Sequence, residues 1–106
     1  MFRLFGAGVS KFNAIGLAIS AKSASFTVTQ EGFYTVDASS GAITVTLPPV
    51  DQANFALLWV KKIDSSGNFV TIQGDSGQTV EDGTVVLTKQ YTSVTLISDG
   101  TQWWII

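Results

Sequence analysis

The sequence predicts an all-β protein: an antiparallel, jelly-roll-like β-sandwich or barrel of eight or nine short strands, preceded by a short N-terminal arm. Apolar residues alternate with Thr or Ser along several short runs, which is the period of a strand with one buried face. Clusters of Gly, Asp, Asn and Ser separate these runs at short intervals, as in sandwiches and barrels. The composition is 45% hydrophobic and only 13% charged, which favours a subunit that buries surface against other chains.

The most regular stretch is residues 30–49, Q-E-G-F-Y-T-V-D-A-S-S-G-A-I-T-V-T-L-P-P. Residues 33–36 are strand formers, and Asp37, Ser39, Ser40 and Gly41 are turn formers. Ile, Val and Leu then alternate with Thr along residues 43–47 until a Pro pair ends the run, since Pro cannot donate to a ladder. This pattern predicts two strands joined by a tight hairpin turn.

On either side of that unit, strands are predicted at residues 25–29 and 55–63. Residues 55–63, F-A-L-L-W-V-K-K-I, are apolar on both faces as far as Lys61, which is typical of a central strand covered on both sides. The sequence D-S-S-G-N at 64–68 predicts a second hairpin turn, after which residues 69–73 resume the strand alternation.

The C-terminal third predicts four short strands at residues 79–80, 84–88, 91–98 and 101–106. Asp-Gly pairs at 82–83 and 99–100 are strong signals for tight hairpin turns. Similar strand–turn patterns recur at 39–47, 65–72 and 93–97. The matches are short, so we interpret them as repeated strand–turn chemistry and not as a solenoid repeat.

Residues 1–24 differ in character from the domain predicted at 25–106. Their apolar residues recur at helix-like spacings of three and four, although three Gly residues argue against a stable isolated helix. Three interpretations stay open: an arm that docks on a larger assembly, a piece of the domain's own packing, or a cleaved signal peptide. The apolar run is too short for a transmembrane helix. The candidate docking residues are Phe2, Arg3, Phe5, Lys11 and Phe12.

Charge separates the same two segments. Residues 1–22 carry three basic residues and no acid, a net charge of +3, whereas residues 23–106 carry three Lys against eight acids, a net charge of −5. An acidic body is a poor ligand for phosphate backbones, so we expect no nucleic-acid partner.

The residues for catalysis are missing. The chain has no His and no Cys, which removes the commonest general base, metal ligand and thiol nucleophile. Gly74-Asp75-Ser76-Gly77 matches the sequence around a trypsin-like nucleophile but has no His to serve it, and residues 64–75 lack the Gly and Glu that a calcium loop requires. We therefore expect no enzyme activity, no metal and no cofactor.

Aromatic residues are the remaining candidates for a binding site. Trp59, Tyr91, Trp103 and Trp104, with Tyr34, could stack on sugar rings. The alternative is that they belong to the core or to a subunit interface, where aromatic residues concentrate.

Three patches in the body carry a family resemblance. They are residues 32–49, then K-K-I-D-S-S-G-N at 61–68 with V-T-I at 70–72, and then Y-T-S-V-T-L-I-S-D-G-T-Q-W at 91–103. Together they resemble a β-module of tailed-bacteriophage virion proteins, which occurs in tail fibres, tailspikes, head fibres and capsid decoration proteins. The resemblance covers about residues 26–106 of the chain.

The resemblance implies a non-enzymatic structural or adhesive role in the virion, commonly as a homotrimer. Because the module fills most of the printed sequence, we expect a small subunit attached to the particle, with a capsid decoration or head protein favoured. Its partners would then be copies of itself and the major capsid or tail protein. The alternative is a tail-fibre or tailspike module that binds a receptor or a host surface glycan. A host envelope or secreted protein with a cleaved arm is a third class.

Overall fold

A computed structural model describes residues 18–51 and 57–106. The described residues contain nine strands and no helix. In chain order the strands are β1 (Ala18–Lys22), β2 (Phe26–Thr27), β3 (Gly32–Val36), β4 (Ile43–Thr46), β5 (Leu57–Lys62), β6 (Val70–Gln73), β7 (Val85–Leu87), β8 (Ser93–Ser98) and β9 (Trp103–Ile105).

The strands form two sheets that share one apolar core. Sheet A has the order β1-β3-β5-β8-β9, and sheet B has the order β2-β4-β6-β7. Along β4 and β6, Ile and Val are buried while Thr and Gln between them are half-buried, so one face of sheet B packs inward. The prediction of an all-β sandwich with about nine strands is confirmed.

The direction of the strands differs from the prediction. From β1 to β6 the chain alternates between the two sheets, and each new strand lies parallel to the previous strand of its own sheet. Only the pairs made by β7, β8 and β9 are antiparallel. The first six strands are therefore three coils of a short two-sheet solenoid, and an antiparallel segment closes it. The expectation of an antiparallel jelly roll was wrong for four of the seven strand pairs.

Two predicted hairpins are in fact crossings between the sheets. The turn at 37–41 joins β3 in sheet A to β4 in sheet B, and the turn at 64–68 joins β5 to β6 in the same way. The similar sequences at 39–47 and 65–72 thus lead into neighbouring parallel strands, in which Ile43 pairs with Val70 and Val45 with Ile72. We interpreted that similarity as repeated strand–turn chemistry and not as a solenoid repeat, and for these two stretches the interpretation was wrong. The Asp-Gly turn at 99–100 does join an antiparallel pair, β8 and β9.

A buried ion pair ties together the equivalent crossings of two successive coils. Lys62 is fully buried, and its Nζ donates to Oδ2 of Asp64 at 2.7 Å. The same carboxylate accepts hydrogen bonds from the Ala38 amide at 2.7 Å, the Ser66 amide at 3.1 Å and the Ser66 hydroxyl. Because Ala38 lies in the β3–β4 crossing and Asp64 in the β5–β6 crossing, this cluster fixes one coil on the next.

The core lies between the sheets, and sixteen apolar residues of the described part of the chain belong to it. Trp103 is its largest member and has no exposed surface. The others are Val28, Tyr34, Val36, Ala38, Ile43, Val45, Leu47, Val50, Leu58, Val60, Val70, Ile72, Val80, Leu87 and Leu96.

The structure also bears on the boundary expected at residue 24. β1 was assigned to the arm by sequence, but it pairs along its whole length with β3 and so belongs to sheet A. The candidate docking residues Phe2, Arg3, Phe5, Lys11 and Phe12 lie outside the described residues.

Candidate functional site

The outer face of sheet A carries apolar side chains, although it lies on the opposite side from the core. Side chains alternate between the two faces of a strand, so the buried Leu58 and Val60 of β5 leave Leu57 and Trp59 on the outer face. The same alternation in β3 directs Tyr34 inward and Phe33 outward. These strands are therefore apolar on both faces.

The register of the sheet aligns these outward residues in two adjacent rows. Ile19, Phe33 and Trp59 are cross-strand neighbours in one row, because Ile19 pairs with Phe33 and Phe33 with Trp59. In the next row Leu57 pairs with Ile97, and Ile97 with Trp104. Ile106, whose amide donates to Thr95 at 2.9 Å, extends the first row beyond β9. We call this surface the apolar face; it consists of Ile19, Phe33, Leu57, Trp59, Ile97, Trp104 and Ile106.

Several of these side chains have substantial contact with solvent. Ile19 is 73% exposed, Ile106 68% and Trp104 40%, whereas Phe33, Leu57, Trp59 and Ile97 are half-buried by their neighbours. Among the outward positions of β1, β3, β5, β8 and β9, the one charged residue is Lys61, which lies in the next row beyond Trp59. The seven side chains of the apolar face are therefore uncharged and partly open, and two carboxylates lie at its border: Glu31, which accepts the Leu57 amide at 3.2 Å, and Asp99.

Trp104 is held in place by a hydrogen bond at the edge of this face. Its Nε1 donates to Oδ2 of Asp99 at 2.8 Å. Asp99 is itself fixed, because its Oδ1 accepts hydrogen bonds from the Thr101 amide and hydroxyl and from the Gln102 amide. The Thr101 amide, the Trp104 indole and the remaining donors hold the pKa of Asp99 well below its usual range. An exposed aromatic ring that is already ordered loses little entropy when a partner covers it.

The four aromatic residues predicted as an interface or glycan site do not form one cluster. Trp59 and Trp104 both lie on the apolar face. Tyr91 is 63% exposed and lies near the other end of β5, where Lys61 Nζ is 5.8 Å from its ring centroid. Trp103 lies in the core, and its Nε1 donates to the Pro48 carbonyl at 3.2 Å.

The sequence did not predict that five of these residues share a common surface: Ile19, Phe33, Leu57, Ile97 and Ile106. A signal was present, because Phe33-Tyr34, Leu57-Leu58 and Leu96-Ile97 each place two apolar residues side by side in a strand. Their alignment depends on the strand order β1-β3-β5-β8-β9, which the local patterns do not encode.

Within residues 18–51 and 57–106, no three acidic residues come close enough together to hold a metal ion. Asp64 belongs to the calcium-like pattern at 64–75, but its carboxylate accepts hydrogen bonds from Lys62, Ser66 and the Ala38 amide. The same part of the chain also has no helix long and apolar enough to cross a membrane.

No protein-family model matches this chain, and no curated protein matches it.

Proposed function

We propose that this chain is a non-enzymatic structural subunit of a tailed-bacteriophage virion. In this proposal it forms a homotrimer through the apolar face and attaches to the particle as a capsid decoration or head protein. The observation that carries the proposal is the apolar face, which brings seven apolar side chains, two of them Trp, together on the outer surface of sheet A.

The composition and the partial exposure of the apolar face support self-association. Soluble monomers rarely expose contiguous apolar patches larger than a few hundred Å², and larger ones mark interaction sites. The centres of protein interfaces are depleted of charge and enriched in Trp, as this surface is. Ordered, half-exposed Trp104 has the character of an interface anchor.

A trimer also gives the N-terminal segment a role. Three basic, Phe-containing arms on one assembly would bind a particle together, and linked weak contacts raise the overall affinity by a large factor. The partner is the major capsid or tail protein, and the contacts are those of Phe2, Arg3, Phe5, Lys11 and Phe12. The basic charge of the arm is suited to an acidic patch on that partner.

The experiment that tests self-association compares two matched substitutions in the full chain. Ile97→Asp places a charge in the middle of the apolar face, whereas Thr71→Asp places one at an outward, half-buried position of β6 in sheet B. We expect the assembly mass, measured by sedimentation velocity, to fall to a third in Ile97→Asp and to stay unchanged in Thr71→Asp. An unchanged mass in Ile97→Asp, with circular dichroism showing a folded chain, would contradict the proposal.

Attachment to the particle is tested by removing residues 1–17, which leaves β1 and its pairing with β3 intact. We expect the truncated chain to stay folded and oligomeric but to lose binding to purified particles of its phage in a co-sedimentation assay. Full particle binding by the truncated chain would count against the arm.

The second candidate is a receptor- or glycan-binding module of a tail fibre or tailspike. The ordered, exposed ring of Trp104 favours it, because such a ring can stack on a sugar. Under this alternative, binding to a glycan array is lost in Trp104→Ala, while the wild-type chain sediments as a monomer at micromolar concentration.

A further inference from the structure

The two edges of sheet A differ in how their backbone is covered. At the β9 edge, the Trp103 amide donates to Thr79 at 3.2 Å, and the Glu81 amide donates to the Trp103 carbonyl at 3.1 Å. The Glu81 side chain completes the cover by accepting the Ile105 amide at 2.8 Å. Residues 79–81, which form a parallel bridge to β9 through Val80 and Trp103, therefore occupy this edge.

The β1 edge has no such cover within the described residues. The Lys22 carbonyl accepts the Asp37 amide at 2.8 Å and so points toward the β3 side. Because backbone groups of successive strand residues point to alternate sides, the N–H and C=O groups of Ile19 and Ala21 point the other way. No described strand pairs with that side of β1.

The β1 edge also has few of the devices that prevent edge pairing. β1 is a five-residue strand of sequence A-I-S-A-K with neither a Pro nor a bulge, and its Ile19 is 73% exposed. Its single charge, Lys22, lies at the end of the strand, with Nζ 5.1 Å from the centroid of the Phe26 ring. Open edges of this kind are templates for pairing with another strand.

Sheet B ends at the same coil. β2 is the terminal strand of sheet B and lies in the same coil as β1. A lone extended peptide could lengthen only one of the two sheets. A second copy of the sandwich, related by a two-fold axis perpendicular to both sheets, presents its own β1 edge to β1 and its own β2 edge to β2 at the same time.

We propose that two copies of this chain join end to end through antiparallel pairing of β1 with β1, about a two-fold axis at Ser20. Head-to-tail addition, in which β1 of one copy would pair with β9 of the next, is blocked because the β9 edge is already covered. In the two-fold pair Ala18 faces Lys22, so the two Lys22 residues stand about 13 Å apart along the strands, beyond the Debye length of about 8 Å at physiological salt. Small side chains at Ala18, Ser20 and Ala21 allow close approach.

This contact uses the backbone edge of β1, whereas the proposed trimer interface uses the side chains of the apolar face, of which Ile19 is the member that lies on β1. A closed assembly that uses both contacts contains six chains. Disrupting the apolar face then divides the mass by three, whereas disrupting the β1 edge divides it by two, so the two proposals fail independently.

A cysteine at the two-fold axis gives a direct test. Ser20 directs its backbone toward β3, so across the open edge it occupies a non-hydrogen-bonded position, where facing Cα atoms are about 4.5 Å apart and a disulfide fits. The chain has no other Cys, and exposed Ser40 is the matched control. We expect Ser20→Cys to form a disulfide-linked dimer as its major species under mild oxidation, while Ser40→Cys stays mostly unlinked. Equal, slow cross-linking of the two variants would overturn the proposal. That result is the one expected if residues 1–17 of the same chain covered the β1 edge.

A proline substitution tests the pairing without any cross-link. Ala21→Pro removes an amide N–H that points away from β3 and that the β1–β1 pairing would use. The variant should still fold, because Pro is tolerated on an edge strand when its position faces away from the neighbouring strand. We expect Ala21→Pro to halve the mass of the assembly and to raise the dissociation constant of the two-fold contact by about tenfold or more, with unchanged far-ultraviolet circular dichroism. A folded Ala21→Pro chain that sediments like the wild type would overturn the proposal.

Discussion

Trp103 and Trp104 are neighbours in β9 but lie on opposite sides of sheet A. Trp103 is fully buried in the core, whereas Trp104 is 40% exposed on the apolar face and donates to Asp99. One strand thus connects the core to the candidate interface. Because successive side chains point to opposite faces, two adjacent substitutions separate folding from association.

We expect Trp103→Ala to lower the free energy of unfolding by about 3–5 kcal/mol, because it leaves a large cavity in the core. Trp104→Ala should change the free energy of unfolding of the isolated chain by less than about 1 kcal/mol while weakening self-association. Urea denaturation followed by circular dichroism measures the first quantity, and sedimentation equilibrium the second. Equal effects of both substitutions on unfolding would show that Trp104 belongs to the core.

The buried ion pair predicts a strong effect at Asp64. Asp64→Ala leaves the fully buried Lys62 ammonium without its carboxylate and the Ala38 amide without its acceptor. Breaking a buried pair in this way costs about 3–5 kcal/mol of unfolding free energy. Asp51→Ala, at an exposed position, is the control and should cost less than about 0.5 kcal/mol. Chemical denaturation checks both, and a small loss in Asp64→Ala would mean that Lys62 finds another partner.

Acid should unfold the protein partly through the same residue. Burial alone would raise the pKa of Asp64, but hydrogen bonds from Lys62, Ser66 and the Ala38 amide outweigh it and hold the pKa well below its usual range. Since the unfolded pKa is about 3.9, this stabilisation is complete above about pH 5 and is lost as the pH falls toward the folded pKa.

We therefore expect the Tm to vary little between about pH 7 and 5 and to fall below about pH 4. Asp64→Asn removes one titrating group, so its Tm should fall less steeply with acid than that of the wild type, from a lower starting value at neutral pH. Differential scanning calorimetry at a series of pH values measures both slopes. Parallel curves would show that Asp64 does not contribute to the acid sensitivity.

Gly74 is required by close packing in the turn after β6. A Cβ at this position would lie 2.3 Å from the Gln78 carbonyl oxygen, which is backbone and cannot rotate away. Gly74→Ala should lower the free energy of unfolding by about 1–3 kcal/mol. Gly67→Ala is the matched control, because among the described residues only its chain neighbours come within 4 Å of its Cβ position. Thermal denaturation checks the pair, and a neutral Gly74→Ala would indicate that the turn can move.

The sequence predicted the strands well because each strand's alternation is local. The bounds of β4 and β6 fall inside the predicted runs, β3 begins one residue before the predicted run, at Gly32, and Asp99-Gly100 joins the predicted antiparallel pair. The pairing directions could not be predicted in the same way. D-S-S-G-N is equally suited to a hairpin turn and to a crossing between sheets, and the alternation of β4 is the same whether its neighbour is parallel or antiparallel.

The candidate site was predictable only in part. The apolar run at 55–63 indicated a strand with a second face to cover, and β5 does carry Leu57 and Trp59 on the apolar face. Trp103 and Trp104 could not be distinguished, because their assignment to core or surface depends on the register of β9 against β8. Ile19 was assigned to the arm because its spacing continued a helix-like stripe, whereas its pairing with Phe33 places it in sheet A.

The central claim, that the apolar face joins copies of this chain, is tested most directly by sedimentation velocity of the wild type and Ile97→Asp at micromolar concentration. The account predicts a wild-type assembly whose mass is a multiple of three chains and an Ile97→Asp assembly of one third that mass, with matching circular dichroism spectra. A monomeric wild-type chain, or an Ile97→Asp chain that sediments like the wild type, would contradict it.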